Sequence, residues 1–407
     1  MADNKDKKAL NVPDKRVQND ACISSAEREE QVTKARPKGN VPALRFPEFT
    51  DEWKEEQLDE IAELSKGVGI SKEQISEDGE PCILYGELYT KYKSEIIRRV
   101  VSKTNIESSN LKHSKRNDVI IPCSGETAID IAVARCIPFD NILLGGDLNV
   151  IRLQKDNGAF MAYQLNGKRK IDIAKLAQGV SVVHLYGENL KTIKIYNPCL
   201  QEQQRIVRLL SMLDERIEVQ NKIIERLETL IKGIVETVIS SQKPNTFIKN
   251  CLDCDSSTLL ESQVAETGTF PVYGATGISG YTGTANVNGE SILIIKDGSG
   301  VGTVKFVTGE YDYIGTLNSL TAKDSYCLKY IYFALQGFSF EPYKTGMAIP
   351  HIYFKDYGRA KIYCPPYKLQ ATISQQLTCI ESKIDVEKRI LSDPAQQKSY
   401  LLSQMFI

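Results

Sequence analysis

The feature that most narrows the possible folds is an internal duplication. Gly179, His184, Lys194, Ile195, Tyr196 and Pro198 recur as Gly346, His351, Lys361, Ile362, Tyr363 and Pro365, a constant offset of 167 positions. The offset persists through Ile206, Leu210, Leu213 and Ile217, which return as Ile373, Leu377, Ile380 and Ile384. Upstream the match loosens, with Leu148-Asn149 resembling Leu317-Asn318 at an offset of 169. A unit of this length is a whole domain plus a helix, well beyond the ~20 to 50 residue periods of solenoids and propellers. The chain is therefore built from two related halves.

Each half ends in a long helix. From Ile206 an apolar seam runs through Leu210, Leu213, Ile217, Gln220, Ile224, Leu227, Ile231, Ile234 and Val238, in alternating steps of four and three. That spacing predicts a stripe against which a second helix lies. Its single polar member, Gln220, is placed to set register or partner choice. If Gln201 to Ser241 is helical throughout, the rod is about 60 Å long at ~1.5 Å per residue. The second copy, Leu369 to Phe406, is the natural partner, packed antiparallel. It keeps the register to Leu391 and then meets Pro394, where a lost backbone donor predicts a break or kink. Beyond it, Tyr400, Leu401, Leu402, Met405 and Phe406 are expected to form a short apolar helix.

The segments ahead of the helices read as β-rich. Asn117 and Asp118 lead into the apolar run Val119-Ile120-Ile121, and Ser291 to Ile295 resembles it in the second half. Short strands and Gly-rich turns alternate over Phe270 to Val307. Tyr326 to Phe340 is expected to be a helix, matching Phe160 to Leu165. Residues 1–40 are polar and weakly patterned, a leader that is mobile or partly helical. The charged start Met1 to Lys8 lacks the form of a secretory signal, and no apolar run approaches the ~18 residues of a membrane span. A cytoplasmic protein is expected. Its ten cysteines follow no disulfide framework, and Cys251-x-x-Cys254 lacks the further ligands of a zinc site.

With 51 basic against 52 acidic residues, indiscriminate capture of nucleic acid is not expected. DNA binding would rest on local patches. The densest holds Lys91, Lys93, Arg98, Arg99, Lys103, Lys112, Lys115 and Arg116, with Tyr89 and Tyr92 beside it. Lys and Arg neutralise phosphates, whereas Tyr, Asn and Ser reach sugars or base edges. In the second half Lys296, Lys305, Tyr343 and Lys344 are the corresponding candidates. A solvated loop remains the alternative reading of the first patch.

Four segments imitate catalytic motifs. Cys364-Pro365-Pro366-Tyr367 imitates the acceptor loop of a DNA methyltransferase, but cysteine stands in the acceptor position, and Asn197-Pro198-Cys199 aligns with it as a shared helix-start signal. Gly298, Gly300 and Gly302 imitate a cofactor loop, yet a strand pattern, Thr303 to Val307, follows. Gly167-Lys168 is followed by Arg169 where a P-loop needs Ser or Thr. Glu52-Trp53-Lys54 is at most half of a metal-nuclease motif. Of the three histidines, His113, His184 and His351, none adjoins a nucleophile; the last two are repeat-equivalent and suit a structural or DNA-proximal role.

Val41-Pro42-Ala43-Leu44-Arg45-Phe46-Pro47-Glu48-Phe49, then Trp53 and Leu58, resembles the opening of many specificity subunits of type I restriction-modification enzymes. So do Phe270 to Gly277, Asp297 to Gly302, and Pro198 leading to Glu202-Gln203. The resemblance covers nearly everything after residue 40. It implies an α+β chain with two homologous β-rich target recognition domains, separated and followed by long helices that pair as an antiparallel coiled coil. The expected layout is a polar leader at 1–40, domain 1 at 41–198, a central helix at 199–242, domain 2 at 243–366 and a C-terminal helical region at 367–407. Lys368-Leu369-Gln370 departs from Gln201-Glu202-Gln203 in the first copy.

The resemblance further implies a non-catalytic DNA-reading subunit. Each domain would read one half-site of double-stranded DNA, while two methyltransferase subunits bind S-adenosylmethionine and restriction subunits bind ATP with Mg. No metal or cofactor is expected on this chain, and no membrane partner. The competing classes are a self-sufficient DNA methyltransferase or nuclease, and a non-catalytic coiled-coil scaffold.

Overall fold

The computed structural model describes residues 39–346 and 348–407, so the expected leader lies almost wholly outside the described residues. The chain divides into two compact units. One runs to Val207 and includes Leu401–Ile407; the other is Arg208–Tyr400.

In the first unit the apolar run becomes the strand Asp118–Pro122, buried along its whole length. Its side chains alternate between two cores. Val119 and Ile121 join Ile151, Met161 and Leu165, and Ile120 faces Ile83, Leu88, Ile97 and Val150. Period-two alternation on a strand covered on both faces explains why the sequence shows continuous rather than alternating hydrophobicity. The strand lies in an antiparallel sheet ordered Ala62–Lys66, Leu148–Leu153, Asp118–Pro122, Arg135–Ile137. Helix α1 (Gly158–Asn166) covers one face, capped by the Asn157 side chain, which accepts from Phe160 N at 3.1 Å. A five-stranded sheet, in which Leu143–Leu144 pairs parallel with Cys82–Ile83, supplies the other side.

The motif residues that precede and follow this domain in sequence meet in space. Glu202, at the head of helix α2 (Leu200–Ile234), is buried. It accepts two bonds from Arg45, each 2.7 Å, and one from Trp53 Nε1 at 3.3 Å. Trp53 in turn packs edge-on against Phe160 and Phe406, at 5.7 and 6.3 Å. The last residues are thus part of this unit's core, tied also by Leu44 N to Gln404 O at 2.9 Å.

The second unit repeats the plan. Its antiparallel sheet is ordered Leu252–Ser256, Leu317–Ala322, Ser291–Ile295, Val304–Val307, and helix α3 (Leu328–Gln336) packs on it. Ile292 and Ile294 face the α3 core; Leu293 and Ile295 face Tyr311, Tyr313 and Leu317. The accessory sheet differs from that of the first unit. It has four strands, with the hairpin Phe270–Gly274 and Gly277–Thr282 where the first unit has helix and loop after Glu80–Ile83.

Helix α4 (Tyr367–Gln404) runs unbroken through Pro394, contrary to the expected break. Pro394 is buried and continues the seam Ile373, Leu377, Ile380, Ile384, Glu387 and Leu391. Contacts on either side hold the helix across the missing donor: Gln220 Nε2 donates to Glu387 O at 3.1 Å, and Lys398 meets Asp214 at 2.5 Å. Lys388 reaches Glu228 at 3.0 Å. Ile224 and Ile231 share one core with Ile373, Leu377 and Ile384.

On α2, Ile206, Leu210, Gln220, Ile224 and Ile231 are buried, while Leu213, Ile217, Leu227 and Ile234 are half-buried. The seam departs from expectation at its end. Val235–Ser240 is a π turn, whose wider pitch rotates the inward face by a residue. Val235 and Ile239 point in, and Val238 is 39% exposed. No helix among the described residues is long and apolar enough to cross a membrane.

Candidate nucleic-acid interface

The basic residues clustered in sequence are distributed in space by the accessory sheet. Lys91 caps the short helix Glu87–Thr90 and binds the buried Glu87 carboxylate at 2.6 Å and Ser102 Oγ at 3.0 Å. Lys93, Arg98 and Arg99 are exposed on the loop that follows. That loop is held from beneath by Arg135, a buried cation the sequence analysis passed over. Its Nε donates to Leu88 O at 3.1 Å and its Nη2 to Tyr92 O at 2.8 Å. Tyr92 is buried, and loss of solvation pushes its phenol up to about 12. Tyr89 is raised for the same reason.

Lys103 and Lys112 lie on strands separated by two others, roughly 14 Å apart at ~4.8 Å per strand. Lys115 and Arg116 occupy the turn before Asp118, where Arg116 Nε donates to Pro138 O at 3.1 Å and Asn117 adopts φ +79°. The patch is a set of cations spread around one sheet rather than a single cluster, exposed except for the half-buried Lys112.

In the second unit Lys305 is exposed and stands 4.7 Å from the Tyr273 ring centre. Both line a cleft of about 130 Å³ with Thr276, Ile295, Thr303 and Leu317. Lys296 follows the central strand directly. Tyr343 stacks on Phe338 at 5.9 Å, and Lys344 pairs with Glu341. His351 Nδ1 lies 2.7 Å from Asp297 Oδ1.

Gln203 and Gln370, which the sequence marks as motif residues without a role, join each domain to its helix. Gln203 Oε1 accepts from Asn157 N at 2.9 Å, and its Nε2 donates to Pro198 O at 3.0 Å. Gln370, at the repeat-equivalent position, accepts from Cys327 N at 3.0 Å and donates to Pro365 O at 2.8 Å. Both span from the helix head to the N-cap of α1 or α3. The departure Lys368-Leu369-Gln370 therefore preserves this clamp and changes the positions of Gln201 and Glu202. The constant Pro and Gln spacing was the available signal.

The segments that imitate catalytic motifs have other surroundings. Cys364 N donates to Asn245 Oδ1 at 2.8 Å, and Asn245 Nδ2 donates back to Cys364 O at 2.9 Å; α4 begins at Tyr367. Gly298 to Gly302 turns into the strand Val304–Val307. Gly167 ends α1, and Arg169 Nη2 donates to Ile407 O at 2.7 Å. Trp53 of Glu52-Trp53-Lys54 is buried against Glu202. Cys251 faces Cys364, with sulfurs 3.8 Å apart. Among the described residues, no group of three or more His, Cys, Asp or Glu is arranged to hold a metal ion.

The sequence profile of the type I restriction modification DNA specificity domain matches the chain twice, at residues 50–229 and 254–393. A Mycoplasma genitalium protein named as a type I specificity subunit is 23% identical over 389 residues, covering 87% of this chain and 94% of that protein. A Haemophilus influenzae protein named as a type I restriction enzyme specificity subunit is 31% identical over 121 residues, 30% of this chain and 29% of its own. Among solved structures, the S subunit of a type I restriction-modification system from M. genitalium shares the fold. Its TM-score is 0.64 at 20% identity, covering 90% of this chain and 99% of that one.

Proposed function

Because the chain belongs to the type I restriction modification DNA specificity family, we propose that each of its two domains reads one half-site of a bipartite duplex target while partner subunits perform the chemistry. The observation that carries this reading is the presence of two specificity domains, residues 50–229 and 254–393, in one chain. Sequence is read mainly through the major groove, where all four base pairs differ in donors, acceptors and methyl groups. Exposed cations such as Lys93, Arg99 and Lys305 supply phosphate contacts that hold the domains on the duplex.

We infer further that the long helices pair as an antiparallel coiled coil that docks two methyltransferase subunits, with restriction subunits completing the complex. The contacts of Asp214 with Lys398 and Glu228 with Lys388 support the opposed direction. S-adenosylmethionine then belongs to the methyltransferase partner, and ATP with Mg to the restriction partner. This chain acts in the cytoplasm without a cofactor of its own.

The test is reconstitution. The purified chain, given S-adenosylmethionine, ATP and Mg, is expected neither to methylate nor to cut DNA. Combined with its methyltransferase partner, it should direct methylation to one split sequence, read by methylation-sensitive sequencing. Turnover by a preparation free of partners, or methylation without sequence preference in the reconstituted complex, would overturn the assignment.

A further inference from the structure

Two hairpins stand at repeat-equivalent positions with matching backbone geometry. In the first unit Gln178 and His184 close the hairpin: Gln178 N donates to His184 O at 2.9 Å, and His184 N to Gln178 O at 2.7 Å. In the second, Thr345 and His351 exchange the same two bonds at 2.9 and 2.7 Å. A glycine in the left-handed region follows the first closing residue in each, Gly179 at φ +119° and Gly346 at φ +89°. A Cβ at either would fall 2.1 Å from Val182 O or 2.3 Å from Ile349 O, so the tight turn requires glycine.

Both hairpins are stapled to the end of the doubly buried central strand. Leu185 N donates to Cys123 O at 2.7 Å, and Ile352 N to Lys296 O at 2.9 Å. His184 pairs with Ser124, and His351 with Asp297. A rigid base therefore carries each tip.

The described residues Val180, Val182 and Ile349 at these tips are aliphatic and unburied. Val180 is 98% exposed and Val182 53%, while Ile349, the equivalent of Val182, is 58% exposed. A single exposed aliphatic residue needs no explanation. The same one presented at the same place in both domains, on a braced turn, points to a ligand. The flanks are basic and aromatic: Lys66 lies 5.9 Å from the Tyr186 ring centre and His184 stacks on Tyr186 at 6.2 Å, while Lys296 and Lys344 adjoin the second hairpin.

We propose that these hairpins are the DNA-inserting tips of the two domains, Val182 with Val180 in one and Ile349 in the other packing against base edges of duplex DNA. Aliphatic side chains recognise the thymine methyl in the major groove or wedge at a base step, and flanking cations meet the adjoining phosphates. One tip per domain matches one domain per half-site. The inference rests on the DNA-reading function proposed above.

The test uses the full chain assembled with its methyltransferase partner and duplexes bearing the mapped target, or that target with either half-site scrambled. I349S should bind the intact target about tenfold more weakly, the effect expected for one lost aliphatic contact, and the V180S/V182S pair at least as much more weakly, since it removes two. Each deficit should vanish when one particular half-site is scrambled, a different one for each variant. I349V should retain affinity, and thermal unfolding and partner assembly should be unchanged.

Wild-type affinity in both serine variants would overturn the proposal. So would loss of partner assembly with DNA affinity intact, which would make the tips a protein-docking surface. A wild-type complex with no sequence preference would instead defeat the DNA-reading assignment itself.

Discussion

Gln220 and Glu387 are repeat-equivalent, 167 positions apart, and they touch: the Gln220 amide donates to the Glu387 carbonyl at 3.1 Å and to its carboxylate. Both are buried in an otherwise aliphatic seam. An internal duplication whose equivalent residues meet on opposed helices places its local symmetry point between them. Of all registers the two helices could adopt, this one satisfies both polar groups. A slip by one heptad would leave an amide and a carboxylate facing aliphatic side chains, which a low-dielectric seam penalises heavily.

Replacing both residues by leucine should therefore separate stability from register. Q220L/E387L is expected to keep or raise the midpoint of thermal unfolding, because a well-packed apolar pair commonly equals or exceeds a buried polar one. Its helices should sample more than one alignment, seen as a broadened or multi-peaked distance distribution between spin labels on exposed positions of α2 and α4. Q220L alone should be less stable than either parent. A single sharp distance in the double variant would show that apolar packing alone sets the register.

The same carboxylate gives an acid-side signature. Hydrogen bonds from Lys383 and then Gln220 hold Glu387 below the usual carboxylate range. Between the folded and unfolded values the unfolded state binds more protons, so stability rises with pH there. The contribution is fully present above the ordinary value of about 4.3 and is lost as pH falls below it. E387Q should flatten the acid limb of stability against pH below that value, measured by urea unfolding. It should leave the slope between pH 6 and 8 unchanged.

What could be read in the chain, and what could not, follows from the range of the interactions. Val119 to Ile121 could be read as a strand from its short apolar run, and burial on both faces explains why that run lacks alternation. The seam from Ile206 to Ile231 was visible because its period is local. The turn at Val235 was not: choosing between α and π pitch depends on packing against α3, supplied by residues about a hundred positions away. The break expected at Pro394 does not occur for the same reason: the local rule weighs the missing donor and cannot see the helix held on both sides. In the first basic patch, the run of lysines and arginines was plain, but Glu87, which binds Lys91, and Arg135, which holds the loop after it, lie outside the patch in sequence. The hairpin tips carried a signal, the paired Gly and His, whose meaning required knowing that Val182 and Ile349 are exposed.

The repeated clamp predicts paired effects. Q203A leaves Asn157 N and Pro198 O without their bonds, and Q370A does the same to Cys327 N and Pro365 O. Gln203 and Gln370 are buried and their bonds to Pro198 O and Pro365 O are shielded from water, so each substitution should cost about 1–3 kcal/mol. Hydrogen exchange would localise the loss, faster at the start of α1 in Q203A and at the start of α3 in Q370A. Equal loosening of both helices by either variant would mean that the two clamps do not act separately.

The basic loop divides into cations with different tasks, and the division is measurable. Lys91 answers a buried carboxylate, Glu87, which also holds Ser102 and accepts from Leu84 N at 3.1 Å. K91A should lower stability, on the order of 1 kcal/mol for a carboxylate left short of a partner, and weaken DNA binding only as far as the loop loosens. Lys93 and Arg99 are exposed on a loop already fixed by Arg135, so K93A/R99A should unfold like the parent. Its affinity for target and random duplex should fall together, because phosphate contacts carry no sequence information. The slope of log K against log salt should become shallower by about 0.9 for each phosphate no longer neutralised, close to 2 if both residues make such contacts. An unchanged slope in the folded double variant would assign this loop to solvent, and an affinity loss confined to the target sequence would assign it to base reading instead.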